Sequence, residues 1–151
     1  IPNAPNVDVY FNEHLVFRNL NFGDVTHYED FEAGTFDIKV VKETNGVLLY
    51  EIPAVELDDE LLTFVAHGTP YQDEFPYAIT KLVDDNTFGN GNTRVRFYHC
   101  AAGIGAVELI VDDDVVVSNA HYLDLSDYER VNEGLLEAAI VDSDGEIITG
   151  P

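Results

Sequence analysis

The sequence predicts an all-β protein of antiparallel sandwich type, and three observations carry that prediction. Apolar and polar residues alternate over many short runs. Turn residues recur roughly every eight to twelve positions, while helical spacing is weak throughout. The third observation is a self-similarity. Shifted by one hundred, residues 7–41 lie on residues 107–141 without a gap: Val7 on Val107, Asn19 on Asn119, Asp24 on Asp124, Tyr28-Glu29 on Tyr128-Glu129 and Gly34 on Gly134. Identity is low, but alternation and turn residues stay in phase, the mark of a repeated structural unit.

Taken in order, Ile1 to Asn6 holds two prolines and two asparagines and is an extended lead-in. Val7, Val9 and Phe11 alternate with Asp8 and Tyr10, the pattern of a half-buried strand. Asn12-Glu13 turns the chain into a strand at His14–Phe17, as Asp112-Asp113 does a hundred residues on. Asn19 to Asp24 is a loop with a Gly23 hinge, Val25 to Phe31 is strand-like, and Glu32-Ala33-Gly34 turns into a strand at Thr35–Val41. Asn45-Gly46 is a strong hairpin turn before Val47–Ile52. Glu56 to Glu60 is acidic; Leu61–His67 and Tyr77–Val83 read as further strands. Residues 84–92, DDNTFGNGN, have no alternation and two glycines. Arg94–His99 opens the second copy, Leu135 to Ile140 reads as strand by the repeat, and Asp142-Ser143-Asp144-Gly145 turns into a last strand at Glu146–Thr149. The expected division is a first sandwich repeat over 1–85, a linker over 86–92 and a second, partial repeat over 93–151.

The 151 residues carry 29 acids against seven bases, a formal net charge of −22. Such a surface repels phosphate backbones and anionic headgroups, so nucleic-acid binding and membrane-surface binding are not expected. Self-repulsion on this scale weakens the compact state, and salt or divalent ions are expected to relieve it. No apolar run is long enough for a membrane-spanning helix. A single cysteine, Cys100, excludes a disulfide within the chain. An opening without Met, on Ile-Pro-Asn-Ala-Pro, suggests a mature or trimmed product and hints at export.

The residues IPNAPNVDVYFN and NLNFGDVTHYEDFEAGTFDIKVV resemble the repeated bacterial and archaeal module called domain of unknown function 4397. Its pattern is a strand ending in His, then Ser-Pro-Asp-Ala-Pro, Val-Asp-Val-Tyr, a Phe-Gly loop and a Tyr…Pro-Ala-Gly-Thr-Tyr segment. Pro2, Ala4, Pro5, Val7 to Tyr10, Phe22-Gly23, Tyr28 and Ala33-Gly34-Thr35 match it, with Asn3 in place of Asp. The second copy keeps the opening strand Arg94–His99 but reads Ala101-Ala102-Gly103-Ile104-Gly105 in place of the Pro-rich piece. The resemblance implies an Ig-like β-sandwich, often in tandem on exported and cell-surface proteins, with no catalytic residues to carry over. By the family's measure the first copy lacks its opening strand and the second lacks equivalents of Leu61–His67 and Tyr77–Val83. Merging of the halves, a trimmed chain, or a strand lent head to tail by a neighbour would each satisfy the edges so exposed.

Candidate chemistry is sparse. His99 and Cys100 are strand neighbours and point to opposite faces, so they form no dyad with each other. Asp84, Asp85 and Asn90 on the loop over 84–92, with Asn86 and Asn92, and Asp142 with Asp144 in the last turn, offer the oxygen ligands that calcium takes. A solvated linker and a hairpin turn are the plainer readings, because the calcium-loop pattern fails at Ile140 and Pro151. Asp58-Asp59-Glu60 is the densest acidic group that glycoside hydrolysis could use, without a pocket signature. Tyr10, Tyr50 and Tyr98 are candidates for an outward sugar-binding row. The expected function is a non-enzymatic extracellular or cell-surface structural or adhesion protein that self-associates head to tail into a filament by strand complementation, without a required cofactor. The alternative is a carbohydrate- or calcium-binding module of a larger surface protein.

Overall fold

A computed structural model describes residues 4–69, 73–87 and 93–149. Among them every ladder is antiparallel and no helix occurs. The chain divides into two compact units, Ile1–Thr69 with Pro76–Asp85, and Pro70–Phe75 with Asn86–Pro151.

The first unit contains β1 (Val7–Phe11), β2 (His14–Leu20), β3 (Gly34–Lys42), β4 (Leu48–Leu57), β5 (Leu61–His67) and β6 (Ala78–Asp84). Four of them form a sheet in the order β2-β1-β3-β4, and β5 and β6 form a two-stranded second sheet. Alternation decides which side chains meet. Phe11 stands opposite Ile38, and Ile38 opposite Ile52, so all three share one face. Phe11, Ile38, Val55 and Leu57 form the buried cluster, with Leu62 and Phe64 of β5 packed against it. Two layers of sheet thus close on one apolar core, the sandwich architecture that the alternation predicts.

The register of β3 against β4 slips at Pro53-Ala54, where Phe36 faces Val55 but Ile38 faces Ile52. Pro53 has no N–H to donate, Ala54 takes a φ of 55°, and the Ala54 N–H donates to Asp37 Oδ1 at 2.9 Å. This bulge lets β4 continue to Leu57, past the expected end at Ile52.

The second unit contains β7 (Thr93–Val95), β8 (Val107–Val111), β9 (Asp114–Ala120), β10 (Glu129–Val131), β11 (Ala138–Asp142) and β12 (Ile147–Thr149). Its larger sheet runs β12-β11-β8-β9. Partners in β1–β2 (Val7 with Leu20, Val9 with Phe17, Tyr10 with Leu15, Phe11 with His14) recur one hundred positions on in β8–β9, bulges included. The β1–β3 and β8–β11 ladders correspond in the same way from end to end. Val107 and Val111 are buried as Phe11 is.

The turns correspond too. Asn12 takes a φ of 54°; its N–H donates to Asp37 O at 2.7 Å and its Oδ1 accepts the Asp37 N–H at 2.9 Å. Asp112 takes a φ of 49° and repeats both bonds with Glu137, at 2.9 Å each. Asn and Asp serve here because a short polar side chain tolerates the left-handed region and clamps the next strand.

The second sheets differ. In the second unit β7 pairs with β10, and a bridge between Tyr98 and Leu125 extends the contact. In the first unit the equivalent residues Glu29–Phe31 lie in no ladder, so the expected strand over Val25–Phe31 is not formed. Alternation there is genuine, but among the described residues there is no partner strand to complete it. The expected strand from Leu135 begins only at Ala138, and Leu135 is fully exposed.

Candidate functional site

Two of the carboxylates that looked available for a cation, Asp84 and Asp142, accept hydrogen bonds from the protein's own donors. Asp84 ends β6, and its Oδ2 accepts from Thr63 Oγ1 at 2.6 Å and from Tyr28 Oη at 3.0 Å. Asp85 follows it, exposed. Asn90 and Asn92 lie outside the described residues. Asp142 closes the β11–β12 turn: its Oδ1 accepts the N–H of Asp144 at 3.0 Å and of Glu146 at 2.9 Å. Asp144 is exposed in that turn, next to Gly145 at a φ of 80°. Asp84 and Asp85 belong to the first unit and Asp142 and Asp144 to the second. Among the described residues no group of three or more His, Cys, Asp or Glu gathers where a metal ion could be held.

The same use of acids recurs in the long loops. Asp24 Oδ2 accepts the N–H of Asn21 at 2.8 Å, and Asp124 Oδ2 accepts the N–H of His121 at 2.8 Å. Carboxylates that accept backbone N–H groups shape a turn. Asp58, Asp59 and Glu60 are exposed at the β4–β5 connection.

Cys100 is half-buried, and burial pushes its thiol above the ordinary value, which disfavours the nucleophilic thiolate. Neighbouring His99 is only 3% exposed, with Nε2 at 3.1 Å from Gly105 O and the ring against Phe97 and Tyr122. It is a packed core histidine of the second unit.

His67, buried at the end of β5, lies with Nε2 at 2.8 Å from Thr80 Oγ1, and burial lowers its pKa. In the unfolded chain this imidazole takes a proton near its ordinary value of 6.5, whereas the folded chain resists it. The resulting stability is complete above that ordinary value and is lost as pH falls toward the depressed folded value. His67→Gln, which keeps a polar partner for Thr80, is therefore expected to lose less thermal stability than the parent between about pH 7.5 and about pH 5.5. Acidification also neutralises surface carboxylates, but equally in both proteins. Melting curves at the two pH values check the difference; equal losses contradict it.

The expected tyrosine row is not present. Tyr10 faces Lys39 on the outward side, whereas Tyr50 stands opposite Val40 and so shares the inward face. Its ring packs on Tyr77 at 5.3 Å. Tyr98 faces Leu125 in the second unit. Tyr50 and Ile52 both precede the bulge and are two residues apart, so they share a face.

Strand β1 is no edge, because it is paired on both sides. β12 does lie at an edge, with Ile147 68% and Ile148 43% exposed. β7 is bound on one side by β10. The segment that sequence reasoning missed as an edge is Val25–Phe31. Its signal was its likeness to the paired residues 125–131.

Neither curated proteins nor solved structures include a significant match to this chain. Residues 1–110 match the family described as domain of unknown function (DUF4397), in one continuous stretch that crosses from the first unit into β8. That stretch exceeds half of the chain and covers all six strands of the first unit, so the chain belongs to the DUF4397 family.

Proposed function

We propose that the protein is a non-enzymatic structural or adhesion protein of the cell exterior, a subunit of a surface filament that joins copies head to tail by β-strand complementation. One observation carries this reading: Glu129–Val131 are laddered in the second unit, whereas the equivalent Glu29–Phe31 stand in no ladder among the described residues. An open strand position is a template for another chain. The exposed β12 edge and exposed Val115 on edge strand β9 support the same reading. A net charge of −22 keeps copies apart at low ionic strength and relaxes as salt screens it, so assembly is salt-assisted. Electron microscopy and sedimentation at physiological salt test the reading. Unbranched polymers that grow with concentration are expected; a monomer at every concentration overturns it.

A module that binds glycan or calcium is the second reading. Its one favourable feature is the half-buried Tyr50–Tyr77 pair, an aromatic surface of the kind sugars stack on. A glycan array and calorimetry with calcium separate the two readings, because saturable binding by a monomer is the behaviour of a module.

A further inference from the structure

We propose that the two edges of the first unit's four-stranded sheet are complementary halves of one interface. Strand β4 of one copy pairs antiparallel with β2 of the next, so that copies add by continuing the sheet. This inference rests on the self-association reading and names a contact for it that does not use Glu29–Phe31.

The edges are open in both units. The first unit carries β5 and β6, and neither lies beside β4 or β2. The second carries β7 and β10, and neither lies beside the corresponding strands β12 and β9. Among the described residues, no strand that either unit possesses covers these positions. An edge presents a row of backbone N–H and C=O groups to any strand of matching direction. On β4 the usable stretch is Leu48–Ile52, because Pro53 has no N–H and Lys81 Nζ already donates to Glu56 O at 3.0 Å.

Strand direction permits the joint. With every ladder in the order β2-β1-β3-β4 antiparallel, β4 runs opposite to β2. A second copy in the same orientation therefore brings its β2 antiparallel to β4, the pairing used throughout this sheet. Contact between two different patches leaves one of each free, so further copies add.

Register and charge select the same pair. Leu15, Tyr10, Lys39 and Glu51 lie in one row across the sheet. Asp8, Val41 and Leu48 lie in the next row on that face, and Arg18 falls in the bulge of β2 opposite Asp8. Phe17 and Ile52 pack on the core, whereas Arg18 and Glu51 are exposed. Laid against β4 without stagger, a neighbour's β2 puts Leu15 beside Glu51 and Arg18 beside Leu48, which is 50% exposed. Arg18 then stands diagonal to Glu51, about 7–8 Å away along the backbones and within reach of so long a side chain.

Both charges are available. Arg18 makes no ion pair with a described residue, and Lys39, the ladder partner of Glu51, is bonded to Glu13 Oε1 at 2.9 Å. Across the edge strands β2, β4, β9 and β12, Arg18 is the only Lys or Arg. Pairing β2 with β2, or β4 with β4, brings like charges together, so charge favours the mixed joint.

The test uses the full chain at physiological salt, and sedimentation with electron microscopy reads the concentration at which polymers appear. Arg18→Glu and Glu51→Arg, both at exposed positions, are each expected to raise it at least about tenfold, since like charges then meet at the joint. Mixed one to one, the two variants carry opposite charges at every joint. The mixture is expected to polymerise at the parent's concentration, which a folding defect would not allow. As the parent polymer grows, hydrogen exchange should slow at Leu48–Ile52 and His14–Leu20. The interface is overturned if either variant alone polymerises as the parent does, or if mixing restores nothing. In both of those cases the filament reading stands, with its contact elsewhere. A parent that stays monomeric at every concentration overturns the two together.

Discussion

Phe11→Ala is expected to destabilise the first unit by about 3–5 kcal/mol, the usual cost of emptying a buried aromatic position. Phe11 is 5% exposed in the centre of the four-stranded sheet. Its ring stacks on Phe31 at 4.7 Å and meets Phe36 and Phe64 edge-on, each at 6.2 Å. Those neighbours come from the loop, from β3 and from β5, so one truncation opens the contact between the two layers and loosens the unladdered segment as well. Ring pairs of this kind add about 0.5–1.5 kcal/mol each beyond area burial. Set against a net stability of about 5–15 kcal/mol for an ordinary domain, the loss is a large share. Urea denaturation followed by circular dichroism checks it, since the chain has no tryptophan. Phe22→Ala, at a ring 63% exposed, is the comparison and should stay within about 0.5 kcal/mol. Equal effects at the two positions contradict the packing described.

Asn12→Ala and Asp112→Ala are expected to destabilise their respective units by about 2 kcal/mol each. Two costs combine. Each substitution removes an acceptor from a backbone N–H, at Asp37 or at Glu137, worth about 1 kcal/mol. Each also leaves an alanine at a φ near 50°, a left-handed conformation that costs an L-residue about 1–2 kcal/mol. Glycine separates the costs, because it accepts that conformation freely. Asn12→Gly and Asp112→Gly should therefore lose about half as much. Parallel behaviour a hundred residues apart is the energetic counterpart of the shared register. Unequal losses, or glycine variants as damaging as the alanines, contradict it.

Much of the fold was legible because it is local. The alternation at Val7–Phe11 and Val107–Val111, the turns at Asn12, Asp112 and Asn45-Gly46, and the strand at Leu61–His67 all follow from side-chain period and turn chemistry. What pairs with what is not local, and errors gather there. Val25–Phe31 has the residues of a strand without a partner among the described residues. Val7–Phe11, near the start of the chain, is a central strand rather than an edge because β2 and β3 flank it on either side. Pro53 marks a bulge that carries β4 onward, where the pattern alone suggests an end. At the candidate site, the sequence shows that Asp84 and Asp142 have oxygens to offer. It does not show that Thr63, Tyr28 and two turn N–H groups already use them.

Amide hydrogen exchange of the monomeric protein at low concentration tests the central claim most directly, since it reads the two equivalent segments side by side in one molecule. The N–H groups of Leu123 and Ser126, bonded to His99 and Phe97, should be protected, while those of Gly23 and Thr26 exchange at nearly the rate of an open chain. Comparable protection of Val25–Phe31 and its counterpart in a verified monomer would mean that the first unit is already closed, and the proposed assembly by strand complementation would lose its support.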